Sequence, residues 1–64
     1  MSLLSPREQE VLRLVAQGLT SKQIGQQLFL SPRTVDHHVM SICNKLGVET
    51  RAQAVAVATR DGML

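Results

Sequence analysis

The reactive side chains of this 64-residue chain do not assemble into a catalytic or metal-binding set. His37 and His38 are adjacent, so on a helix they point about 100° apart and cannot share a metal ion. Neither stands four residues from Cys43, the only cysteine. Glu8 has no histidine or second carboxylate spaced for acid/base work, and its place three residues after Ser5 suits a helix cap better. Ser5, Ser21, Ser31 and Ser41 lack a nucleophile motif, and the glycines form no phosphate-binding loop. We expect no active site, no metal and no cofactor. A different chemistry remains. Arg33, His37, Met40 and Asn44 recur at i, i+4, i+7 and i+11, so a helix here carries one ridge of cationic, hydrogen-bonding and soft apolar groups, flanked by Thr34, Asp36 and Ser41.

That ridge needs a helix whose other side is buried, and the sequence supplies one. Val35, Val39, Ile42 and Leu46 form the opposite stripe, with Ser31 and Pro32 as the start signal and Gly47 as the stop. Three more segments read the same way. Ser5, Pro6 and Glu8 open a first helix with Val11, Leu12, Val15 and Ala16 facing inward, ending by Gly18. Thr20 and Gln23 open a short second helix carrying Ile24, Gln27 and Leu28. Thr50 and Gln53 open a fourth, rich in alanine and valine, closed by Gly62. The expectation is an all-α, four-helix bundle-like domain, with helices at about 6–17, 21–28, 32–46 and 51–61.

Composition narrows the function. A chain of about 60 residues buries only about 60% of the surface its unfolded form exposes, which argues against a self-sufficient enzyme with a wide cleft. Hydrophobic residues make up 44% and charged residues 19%, too apolar for a disordered tail. The net charge is +2 and the pI about 9.3. Phe29 is the only aromatic residue, so stacking platforms for single-stranded nucleic acid are missing, whereas duplex recognition needs none. A single cysteine excludes an internal disulfide, favours core packing over redox sensing for Cys43, and fits a reducing, cytoplasmic home. No apolar run approaches the roughly 20 residues that span a bilayer, so we expect no membrane insertion. Residues 1–3 are expected to be an appended or linker remnant, and 4–64 one domain that is a piece of a longer protein.

The second and third helices are joined by about three residues, and the third is longer and capped: a helix-turn-helix hypothesis. Such a helix fits a major groove about 12 Å wide with its N-terminal residues, Arg33, Asp36 and His37, nearest the base edges. The run LSPREQEVLRLVAQGLTSKQIGQQLFLSPRTVDHHV, followed by NKLGVETRAQAV, resembles the LuxR/GerE-type helix-turn-helix domain of bacterial transcription regulators, over nearly the whole chain. The LSPRE opening, GLT turn, SPRTV entry, KLGV break and RAQAV last helix arrive in family order. The resemblance implies a third helix in the major groove of double-stranded DNA, with base-reading positions at Arg33, Asp36, His37 and Met40. It implies phosphate contacts at Lys22, Thr34, His38, Lys45 and Arg51. Counterion release by cations and the free amides of capped helix starts favour such contacts independently. RNA polymerase is a further partner for such regulators, and a receiver, a ligand sensor or a nucleotide-binding region would normally precede the domain.

Two positions depart from the family pattern. Asp36 stands where many members carry lysine; it can accept from a cytosine amino group, or stabilise the first turns of its helix through the dipole, and the sequence leaves both open. Gly25 stands where alanine is common, which we attribute to close packing at the turn despite a helix-propensity cost of about 1 kcal/mol. Arg7, Glu8, Glu10 and Arg13 balance one another and make the first helix scaffold.

Ala54, Val55 and Ala58 can face the core from the fourth helix, leaving Ala52, Ala56 and Thr59 on a second face at i, i+4 and i+7. Small side chains there suit a homodimer contact around a two-fold axis, where the family also places its interface; an alanine-rich solvent face is the plain alternative. A dimer would read an inverted repeat with half-site centres roughly 10 base pairs apart. The rival readings are a promoter-binding domain like region four of a sigma factor, which has no need of the fourth helix's second face, and a helical protein-interaction module.

Overall fold

Four caps set the helix starts. In the computed structural model, which describes residues 3–64, Ser5 Oγ accepts from the Glu8 N–H (3.2 Å) while Glu8 Oε1 accepts from the Ser5 N–H (2.8 Å). With Pro6 at its first position this reciprocal cap opens α1 (Pro6–Ala16). The same exchange between Thr20 and Gln23 opens α2 (Ser21–Leu28), and that between Thr50 and Gln53 opens α4 (Arg51–Arg60). Ser31 caps α3 (Pro32–Leu46) through Thr34, again with proline first. Each cap contributes about 1 kcal/mol by satisfying amides that the helix leaves unpaired. The all-α, four-helix expectation holds, with α1 and α4 each one residue shorter than read, because Gln17 and Asp61 serve as C-caps. Of the start set aside in the sequence, Met1 and Ser2 lie outside the described residues.

The helices meet on α3, which packs against all three others. Val11 and Leu12 of α1, Ile24 of α2, Val35, Ile42 and Cys43 of α3, and Ala54 and Ala58 of α4 are buried, together with Leu4. Val39, Leu46, Leu28 and Val55 pack around them. Fully burying a Val, Leu or Ile side chain is worth about 1.5–3 kcal/mol, so this small core holds α3 by its apolar stripe. One expected core position differs: Ala16 is exposed, because α1 ends there and Leu19 packs against the core after the turn.

The turn from α2 to α3 depends on Gly25. Its carbonyl accepts from the N–H groups of both Phe29 and Leu30, folding the chain back so tightly that a Cβ on Gly25 would collide with the Leu30 carbonyl oxygen. Close packing is therefore what glycine supplies here. Phe29 occupies the left-handed region (φ 59°) with its ring in solvent.

A polar node locks α1 to α3. The Glu8 carboxylate is buried and accepts from Lys45 Nζ (2.7 Å) and Ser41 Oγ (2.6 Å) besides its own cap. Burial works to raise its pKa, but the hydrogen bonds from Lys45, Ser41 and Ser5 outweigh it and bring the value down to about 2. Glu8 is thus both a cap and an interhelix tie.

Candidate nucleic-acid interface

Burying Val35, Ile42 and Cys43 fixes the rotation of α3, and the side chains between them are turned outward. Arg33, Thr34, Asp36, His37, Met40 and Asn44 are exposed, Met40 at 62%, while His38 is half-buried at the edge of the helix. The ridge expected from spacing is thus presented by a helix anchored from behind. Thr34 lies in the first turn, where Ser31 Oγ accepts its N–H and meets its hydroxyl at 2.9 Å.

The cations expected at phosphates fall into three settings. Lys22 is exposed in the first turn of α2. Arg51, the first residue of α4, is half-buried and reaches toward α2 and α3: its Nη2 donates to Ser21 Oγ (3.0 Å) and lies 3.6 Å from Asp36 Oδ1. Ser21 Oγ in turn donates to that same Asp36 oxygen. Lys45, near the end of α3, is held instead by Glu8 of α1 and keeps 38% of its side chain exposed. The structure therefore brings Arg51 together with Asp36 and leaves Lys45 in a separate pair.

Sequence reasoning did not find Ser21 or the second role of Glu8. The partners lie 15 and 30 residues apart around Ser21, and 33 and 37 apart around Glu8, so no local spacing signals them.

Chemically, the face offers hydrogen-bond donors and acceptors on the exposed side of a helix beside capped helix starts, suited to a grooved polyanion. Among the described residues, no group of three His, Cys, Asp or Glu could hold a metal ion, and no helix is long and apolar enough to cross a membrane. Cys43 is buried in the core. On α4, Ala52, Ala56 and Thr59 are exposed, while Ala54 and Ala58 are buried and Val55 half-buried.

Known proteins share this fold. The family described as "Bacterial regulatory proteins, luxR family" matches residues 2–58. The spore germination protein GerE of Bacillus subtilis (strain 168) is 45% identical over 62 residues, covering 97% of this chain and 84% of GerE. An HTH-type transcriptional regulator of Mycobacterium bovis, Mb0914c, is 48% identical over 59 residues, 92% of this chain but 7% of that regulator. The solved structure of the transcription factor GerE superimposes with a TM-score of 0.94 at 39% identity, over 100% of this chain and 96% of the other. The chain thus spans most of one relative and a small part of another.

Proposed function

Since the chain belongs to the LuxR family of bacterial regulatory proteins, which are DNA-binding transcription regulators and not enzymes, we propose that it recognises a specific double-stranded DNA sequence by laying α3 in the major groove. The observation that carries this reading is the exposed ridge of Arg33, His37 and Met40 on a helix held from behind by the core. Arg33 and His37 read base edges, and Met40 offers an apolar contact to a thymine methyl group. Lys22, Thr34, His38 and Arg51 meet phosphates, positioning the helix without reading sequence. Lys45 joins them with a charge already partly compensated by Glu8.

We further propose that two copies pair through Ala52, Ala56 and Thr59 of α4 in a two-fold contact, so that the site is an inverted repeat with half-site centres roughly 10 base pairs apart. The setting is the bacterial cytoplasm, as the output part of a longer regulator acting on RNA polymerase. Control comes from whatever domain such a regulator carries besides this one.

Selection from random duplex DNA, followed by titration of the selected sequence across salt, tests this. The expected result is a two-fold motif, a log-log salt slope that approaches about −7 for a dimer meeting about four phosphates per domain, and roughly tenfold weaker binding for Arg33→Ala and His37→Ala. Recovery of no motif by a folded chain, and again by two copies covalently joined, would overturn the reading.

A further inference from the structure

Asp36 sits in the middle of the proposed reading face, yet its carboxylate is already engaged. Its Oδ1 accepts from Ser21 Oγ and lies 3.6 Å from Arg51 Nη2, while the same Nη2 donates to Ser21 Oγ at 3.0 Å. One anionic oxygen thus gathers the start of α2 and the start of α4 onto the second turn of α3. The guanidinium it holds is one of the cations proposed above to meet a phosphate.

We propose that Asp36 occupies, within the free protein, the place that a DNA phosphate takes on Arg51, and so sets how weakly the domain binds DNA of arbitrary sequence. The inference rests on the DNA-binding reading of the preceding subsection. Three properties support it. A carboxylate and a phosphate present the same oxygen-anion chemistry to a guanidinium, so they compete for its N–H donors. Both partners remain open to solvent, Arg51 at 41% and Asp36 at 60% of side-chain exposure, so a phosphate can reach the arginine without unfolding anything. An ion pair this exposed contributes little to stability, which makes it exchangeable.

The consequence is a weaker hold on the DNA backbone. On any duplex, Arg51 exchanges one anion for another with little gain, so it adds less to binding than an unpaired cation would. Base contacts from Arg33 and His37 then carry a larger share of binding at the selected site.

The test is a double-mutant cycle on a random-sequence duplex and on the selected duplex, with melting by circular dichroism to confirm that every variant is folded. Asp36→Asn keeps an acceptor for Ser21 and removes the charge. It should raise affinity for the random duplex and for the selected duplex alike, by about fivefold. In an Arg51→Gln background the same substitution should change random-duplex affinity less than about twofold. Equal gains in both backgrounds would overturn the proposal, because Asp36 would then act only through its general repulsion of DNA. No gain in either background, with lost selection of one C·G pair, would overturn it in favour of direct cytosine reading. Binding by the unaltered chain distinguishes these failures from failure of the DNA reading, since a chain that binds no duplex even when covalently dimerised overturns both.

Discussion

Two clusters of the same composition, each a carboxylate, a cation and a serine hydroxyl, tie α3 to its neighbours. Glu8, Lys45 and Ser41 join α1 to α3; Asp36, Arg51 and Ser21 join α2, α3 and α4. They differ in exposure. The Glu8 side chain is 6% exposed, whereas that of Asp36 is 60% exposed. Where the carboxylate is buried, every hydrogen bond replaces one that water no longer supplies, and a lost donor is not made good by solvent. Where it faces solvent, water or another anion can take either partner's place. Burial, rather than residue type, makes the first cluster structural and the second exchangeable.

The largest effect should come from breaking the buried cluster. Glu8→Gln removes the charge that receives Lys45 while leaving an acceptor for Ser41, and should cost about 2 kcal/mol, the range of a hydrogen bond to a charged group. For a domain this small the melting temperature should fall by roughly 10 °C. The loss should depend on pH in a definite direction. The folded Glu8 pKa lies near 2, below its ordinary value of 4.5, so its stabilisation is fully present above about 4.5 and is lost as pH falls toward 2. Urea melts across that window should show the unaltered chain and Glu8→Gln converging at the acid end. A constant gap between them would mean that the Glu8 charge is not what holds α1 to α3.

How much of this was legible in the sequence follows from which interactions are local. The three reciprocal caps, the proline starts and the stripe of Val35, Val39, Ile42 and Leu46 are set within one to four turns of helix, and they gave the helices to within a residue. The outward face of Arg33, His37 and Met40 followed from the same period. Both clusters were invisible because they join residues 15 to 37 positions apart, a relation that helical period does not encode. Ala16 was misread for a related reason: periodicity assigns it to the inner stripe, but the path of the chain beyond α1 puts Leu19 over that end of the core. At Gly25 the residue type hinted at close packing, and only the folded turn shows that the obstacle is the Leu30 carbonyl.

A smaller effect separates the two cations. Lys45→Gln should cost about 1 kcal/mol, less than Glu8→Gln, because Ser41 and the Ser5 N–H still hold the buried carboxylate. Its effect on DNA binding should also be modest. With the Lys45 charge already facing Glu8 at 2.7 Å, its removal should reduce the salt slope by less than Arg51→Gln or Lys22→Gln does. Measured slopes ranking Lys45 above those two would mean that Lys45 leaves Glu8 on binding, and the buried cluster would then be as exchangeable as the exposed one.

The smallest effect is expected at the exposed cluster in the absence of DNA. Asp36→Asn should change unfolding free energy by no more than about 0.5 kcal/mol, since the carboxamide still accepts from Ser21 and the solvent-facing ion pair is worth little. What attraction it does provide is screened over roughly 10 Å at 0.1 M salt, so raising salt to about 1 M should shrink the difference further. The gap between the unaltered chain and Glu8→Gln should persist at that salt, because a carboxylate this buried is shielded from ions. Paired denaturant melts at the two salt concentrations therefore distinguish the clusters without DNA. A loss of 2 kcal/mol from Asp36→Asn would make the exposed cluster a structural tie as well, and Arg51 would then have to break a stabilising contact before it could meet a phosphate.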